Sequence, residues 1–152
     1  KSFNVTGARI SFLVGRPDVI AACKKLRTQI DFGMFLPVQK AAIAALTGPL
    51  DSVKRQCGEY QARRDALCGG LRSIGWNVPD SHGSMFVWAP LPTGYTDSMA
   101  FCLELIDKAG VICTPGFSFG PSGEGYVRFA LTLPVERIRE AVASIAASGM
   151  IR

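Results

Sequence analysis

The stretch at residues 50–74 divides this chain into two parts with different patterns. Val53, Cys57, Tyr60, Leu67, Leu71 and Ile74 recur there at helical spacing among many charged residues, and Gly75 closes the run. That spacing predicts one long, half-exposed helix. Before it, the apolar run at residues 10–14 ends at Gly15-Arg16-Pro17 and predicts a buried strand. Pro17 then opens a helix to about residue 30, with proline in the first turn and basic residues in its later part. A second helix is expected over residues 37–46, stopped by Thr47-Gly48-Pro49. One strand and two helices lack the further strands that an α/β sheet needs, so this part reads as the tail of a larger domain.

After the long helix, short apolar runs alternate with helical ones. Residues 85–89 form an expected strand between Gly83 and Pro90. Thr96 is placed to cap a helix whose Met99, Cys102, Leu103 and Ile106 share one face, with Gly110 as its stop. A short strand is expected at residues 111–114, then a glycine-rich loop, then a strand at residues 126–132. Pro134 starts a last helix that turns Val135, Ile138, Val142 and Ile145 inward. This part reads as a complete small α+β unit. The boundary is expected within the long helix, near residues 55–65, and is drawn as 1–58 and 59–152. The fold class is α/β passing to α+β.

Composition narrows the function. The chain has 152 residues, about one domain's worth, with 48% apolar and 19% charged residues. Its net charge of +5 comes from 17 basic and 12 acidic residues, and the basic ones are scattered rather than striped. That argues against nucleic acid and favours small anions. No apolar run approaches the length needed to cross a bilayer, and Lys1-Ser2-Phe3-Asn4 does not resemble a signal peptide, so a cytoplasmic protein without a membrane partner is expected. Five cysteines (Cys23, Cys57, Cys68, Cys102 and Cys113) include no CxxC pair. They argue against a disulfide framework or a metal site and are expected to be buried, reduced thiols. His82, the only histidine, sits in a polar turn and suggests neither a metal ligand nor a triad member.

Two segments carry candidate chemistry. Lys1-Ser2-Phe3-Asn4-Val5-Thr6-Gly7-Ala8-Arg9 sets a lysine eight residues before an arginine, a pair that on its own would mean only two surface cations. Downstream, Thr114-Pro115-Gly116-Phe117-Ser118-Phe119-Gly120 leads to Gly123-Glu124-Gly125-Tyr126-Val127-Arg128-Phe129-Ala130-Leu131. Strand alternation puts Val127, Phe129 and Leu131 on one face and Arg128 on the other, with Tyr126 and Ala130. A guanidinium among apolar neighbours is costly unless it meets an anion, and a carboxylate suits its fork.

Both segments, in this order, resemble class I/II aminotransferases, the fold type I pyridoxal-phosphate enzymes. Gly83-Ser84-Met85-Phe86-Val87-Trp88 is similar to the packing strand of that family's small domain. The resemblance implies the end of the large cofactor-binding domain followed by the C-terminal small domain. It implies pyridoxal 5'-phosphate held by Lys1, which is also the catalytic residue, with Arg9 on the cofactor phosphate and Arg128 on the substrate's α-carboxylate. It further implies transfer of an amino group from an amino acid to a 2-oxo acid, in the branch that holds aspartate, methionine and LL-diaminopimelate aminotransferases. A homodimer is implied too, with the loop at residues 31–36 near its interface, and Asn4 and Tyr60 within reach of the cofactor pocket.

The family's pyridine-pairing aspartate, ring-stacking aromatic and phosphate-receiving helix start all lie upstream of its lysine. These 152 residues alone are therefore expected to bind the cofactor poorly and to be inactive. Two alternatives stay open: a lyase or synthase of the same fold type, and a non-catalytic module derived from it.

Overall fold

The computed structural model describes residues 2–31 and 33–151. The chain divides into two compact units, Lys1–Arg55 and Gln56–Arg152.

The first unit holds a short 3₁₀ turn, Thr6–Ala8, and two helices, α1 (Pro17–Arg27) and α2 (Leu36–Thr47). Both helices begin with proline in the first turn, where the missing N–H costs nothing. α1 places Asp18 in its first turn and Lys24, Lys25 and Arg27 in its last, which matches the helix dipole at both ends. The expected strand at residues 10–14 does not form. That segment has no ladder partner, and Phe12, Leu13 and Val14 are 76%, 64% and 80% exposed. A strand exists only through its neighbours, and every strand of the described residues lies in the other unit. None of the described residues of this unit is buried.

Helix α3 (Asp51–Ser73) runs from the end of the first unit into the second. Its C-terminus is a Schellman motif: Trp76 N–H donates to Leu71 O (3.0 Å) and Gly75 N–H to Arg72 O (3.1 Å). Gly75 takes φ +96°, a left-handed conformation that favours glycine. The turn delivers Trp76 into the core beside Leu71.

The second unit is a three-stranded antiparallel sheet covered by helices. β1 (Phe86–Pro90), β2 (Thr114–Pro115) and β3 (Tyr126–Ala130) lie in the order β1-β3-β2, so β3 is central. Helix α4 (Ser98–Ala109) separates β1 from β2, and α5 (Val135–Ala147) follows β3. The core joins Leu67, Leu71, Trp76, Val87, Phe101 and Phe129 with the inward residues of α5, Ile138, Val142 and Ile145. The alternation expected of β3 holds, with Val127, Phe129 and Leu131 buried and Tyr126 and Ala130 exposed.

Four local expectations need correction. Asp97, not Thr96, caps α4: its carboxylate accepts from Met99 N and Ala100 N, both at 2.9 Å. The buried face of α4 is Ser98, Phe101, Cys102 and Leu105, leaving Met99, Leu103 and Ile106 outside. Apolar residues occupy both faces of that helix, so spacing alone did not choose between them. The short strand begins at Thr114, because only Thr114 and Pro115 reach register with Arg128 and Val127. Finally, Cys23 and Cys57 are exposed, while Cys68, Cys102 and Cys113 are buried and all five are free. Burial pushes the thiols of Cys68, Cys102 and Cys113 up from their ordinary range.

The cap correction has a measurable consequence. Asp97→Ala should lower stability by about 1 kcal/mol, the usual loss on removing an N-cap side chain, whereas Thr96→Ala should be close to neutral. Urea unfolding of the two variants separates them.

Candidate anion-binding site

The site grows out of the exposed face of β3. Register sets Arg128 opposite Trp88 on β1 and Thr114 on β2. With a side-chain period of two, Phe86 and Trp88 of β1 rise on the same face as Arg128. The guanidinium carbon of Arg128 lies 4.2 Å over the Phe86 ring and 4.4 Å from the centre of the Phe119 ring. The charged plane is thus held between two aromatic faces, a favourable cation–π arrangement. Trp88 completes the surround, edge-on to Phe119 at 5.5 Å and stacked on Tyr126 at 5.6 Å.

Inside this surround the Nε of Arg128 is buried and has no hydrogen-bond partner among the described residues. A buried donor without an acceptor costs free energy unless a ligand supplies one, and here the donor belongs to a permanent cation. An oxyanion fits this donor by chemistry.

Phe119 reaches Arg128 from the loop between β2 and β3, which carries the Pro-Gly-x-x-Phe-Gly motif. Two 3₁₀ turns, Gly116–Phe119 and Pro121–Gly123, fold it back on itself. Gly116 and Gly123 meet backbone to backbone: a Cβ on Gly116 would lie 1.9 Å from Gly123 O, and one on Gly123 would lie 2.1 Å from Gly116 O. The loop is then tied to the start of α4. Glu124 Oε1 accepts from Ser98 N (2.7 Å) and Gly125 N (3.0 Å), and Ser98 Oγ accepts from Phe117 N (3.3 Å). The N–H groups of Gly125 and then of Ser98 hold the Glu124 carboxyl below the ordinary carboxylate range.

The other predicted residues stand as follows. Lys1 lies outside the described residues. Arg9 is exposed, follows the Thr6–Ala8 turn at φ 50° and ψ 44°, and has no side-chain partner among the described residues. An unpaired guanidinium there suits a phosphate in chemistry. Asn4, also left-handed at φ 53°, is exposed in the same segment. An apolar hollow of about 750 Å³ in this unit is lined by residues that include Phe3, Ile10, Phe12, Val38 and Leu46. Tyr60 packs against the core of the second unit and carries Arg63 over its ring at 5.4 Å. His82 is exposed, and the described residues hold no group of three or more metal-ligating side chains.

Phe86 and Phe119 are the site residues that sequence reasoning missed. The Phe86 strand was read as packing alone, and Phe119 as part of a loop motif. A usable signal was present, since Phe86 and Arg128 sit on strands with matching outward phase, but the partner strand is not evident without the sheet order.

The chain that builds this arginine site matches the family model for aminotransferase class I and II over residues 1–145. The chain belongs to that family. It is 44% identical over 146 residues to the LL-diaminopimelate aminotransferase of Dehalococcoides mccartyi, covering 96% of this chain and 37% of that protein. It is 46% identical over 142 residues to the enzyme of the same name from Halothermothrix orenii, covering 93% and 36%. Among solved structures, an aromatic aminotransferase from Pyrococcus horikoshii superposes with a TM-score of 0.90 at 27% identity, over 97% of this chain and 40% of that one. A probable N-succinyldiaminopimelate aminotransferase from Thermus thermophilus gives 0.86 at 31% identity, over 97% and 39%. The chain therefore spans somewhat over a third of the length of the relatives it matches. No helix of the described residues is long and apolar enough to cross a membrane.

Proposed function

We propose that this chain is part of a pyridoxal-phosphate aminotransferase that moves an amino group from an amino acid to a 2-oxo acid. The unpartnered, buried Nε of Arg128 between two phenyl faces is the observation that carries this reading. In it, Arg128 takes the α-carboxylate shared by every amino-acid and oxo-acid substrate. Two parallel N–H···O bonds would fix the substrate's orientation as well as its affinity. The surrounding rings exclude water and strengthen those bonds.

At the other end of the chain, Arg9 would bind the cofactor phosphate and Lys1 would hold the cofactor. Once free, the Lys1 amine would carry the proton at the substrate's α-carbon. The bound cofactor supplies the electron sink that makes that proton labile. Residues 1–58 belong on this reading to the end of the large domain and residues 59–152 to the small domain. The relatives' shared name makes LL-diaminopimelate the first donor to try, within the aspartate, methionine and LL-diaminopimelate branch. A cytoplasmic homodimer accompanies the reading.

The test uses the protein at the full length of its relatives, loaded with cofactor. A panel of amino donors with a 2-oxo acid acceptor should give transfer. Turnover of cystathionine without an acceptor would identify a lyase instead. Arg128→Ala should raise KM for the amino acid about 10–100-fold with a smaller change in kcat, as expected on losing charge-assisted hydrogen bonds. An unchanged KM would remove Arg128 from the site.

A further inference from the structure

We infer that Glu124 is a positioning residue for Arg128: by tying the β2–β3 loop to the first turn of α4, it holds Phe119 against the guanidinium. This rests on the reading of Arg128 as the carboxylate-binding group. Glu124 itself makes no hydrogen bond or ion pair with the Arg128 side chain among the described residues.

Phe119 is half exposed, so burial alone does not fix it. Its ring meets Arg128 on one side and the edge of Trp88 on another, and its backbone belongs to the turn Gly116–Phe119. That turn is held at three points. The Gly116–Gly123 crossing closes the loop upon itself and sets Gly116 against β3, where a Cβ would meet Tyr126 O at 2.6 Å, but it does not reach α4. The Ser98 hydroxyl receives Phe117 N–H, and Ser98 is fully buried, so this tie depends on where the start of α4 sits against the loop. The Glu124 carboxylate sets that relation, because a single oxygen accepts from Ser98 N on α4 and from Gly125 N at the entry to β3.

Gly125 also closes the ladder, since its carbonyl accepts from Leu91 N at 2.8 Å. One carboxylate oxygen thus joins the helix, the loop and the central strand. Asp97 already satisfies Met99 N and Ala100 N, leaving Ser98 N to Glu124. The N-terminus of α4 therefore needs both carboxylates, but only Glu124 reaches back to the strand that carries Arg128.

Without Glu124, Phe119 is free to leave the guanidinium, and the substrate must then reorder Arg128 on binding. That ordering cost appears as a loss of affinity. Two measurements test this. In the protein at the full length of its relatives, the Nε–Hε resonance of Arg128 should be shifted upfield by the two ring faces. Glu124→Ala should abolish most of that shift while the folded spectrum persists, and Glu124→Gln, which keeps an acceptor oxygen, should retain it. In the protein at the full length of its relatives, Glu124→Ala should raise the dissociation constant of 2-oxoglutarate about two- to tenfold, and Glu124→Gln should restore it.

A role confined to capping α4 would lower the melting temperature of Glu124→Ala and leave both the resonance and the affinity at parental values; that result overturns the inference. Arg128→Ala is the control. If it fails to weaken 2-oxoglutarate, the carboxylate reading itself falls. If Arg128→Ala weakens binding and Glu124→Ala does not, only the positioning role falls.

Discussion

Truncating Trp76 to alanine should cost the second unit about 3–5 kcal/mol, the usual range for removing a fully buried large aromatic side chain. Trp76 is 1% exposed and is the largest side chain in the core. Its ring meets Phe101 and Phe129 edge to face, at 5.3 and 5.7 Å, so both lose an aromatic partner as well as packed volume. Its indole N–H donates to Pro90 O at 2.7 Å, at the end of β1, and truncation leaves that carbonyl without its donor. The Schellman turn itself should survive, because the backbone N–H that Trp76 donates to Leu71 O is kept in the alanine variant. Trp76→Phe separates these contributions, since it keeps most of the apolar area and loses the N–H. It should cost about 1–3 kcal/mol, as expected for an orphaned acceptor with a modest cavity. Urea unfolding followed by far-ultraviolet circular dichroism gives both values. A Trp76→Ala loss below that of Trp76→Phe would mean the core is not organised around this ring.

Where sequence and structure agree, the signal was local and redundant. The outward placement of Arg128 follows from a side-chain period of two, and three apolar residues fix the phase of β3 on the opposite face. The end of α3 follows from Gly75, because few other residues accept its backbone conformation. α5 starts after Pro134 and buries Ile138, Val142 and Ile145, since its apolar residues occupy only one face.

The failures share another cause: each depended on something distant in the chain. Residues 10–14 have strand composition, yet a strand needs partner backbone, and the described residues of the first unit supply none. Thr96, Asp97 and Ser98 are all good caps, and the choice among them depends on Glu124, 26 residues away from Ser98, taking the Ser98 N–H. The aromatic sandwich of Arg128 joins β1, β3 and the β2–β3 loop. Only the sheet order β1-β3-β2 brings those three segments together, and antiparallel order is not encoded in any one of them.

Replacing Lys1 by alanine should reduce amino transfer by at least about 10²–10⁴-fold, the contribution of one positioned acid–base side chain. The expectation follows from chemistry at the α-carbon, where a proton must leave and return through a group that can be neutral at working pH. Lysine meets that requirement because burial and neighbouring cations lower its pKa readily. Lys1→Arg keeps the positive charge but not the ability to give up a proton, so it should be as inactive as Lys1→Ala. That comparison separates proton transfer from simple charge. On the proposed reading Arg9→Ala should behave differently, because losing a phosphate contact would weaken cofactor binding, and excess pyridoxal phosphate should then recover most of the rate. Single-turnover kinetics on the cofactor-loaded protein, at the full length of its relatives, resolve the three cases. Transfer by Lys1→Ala within about tenfold of the parent would fall short of what acid–base catalysis supplies and would move the catalytic lysine elsewhere in the protein.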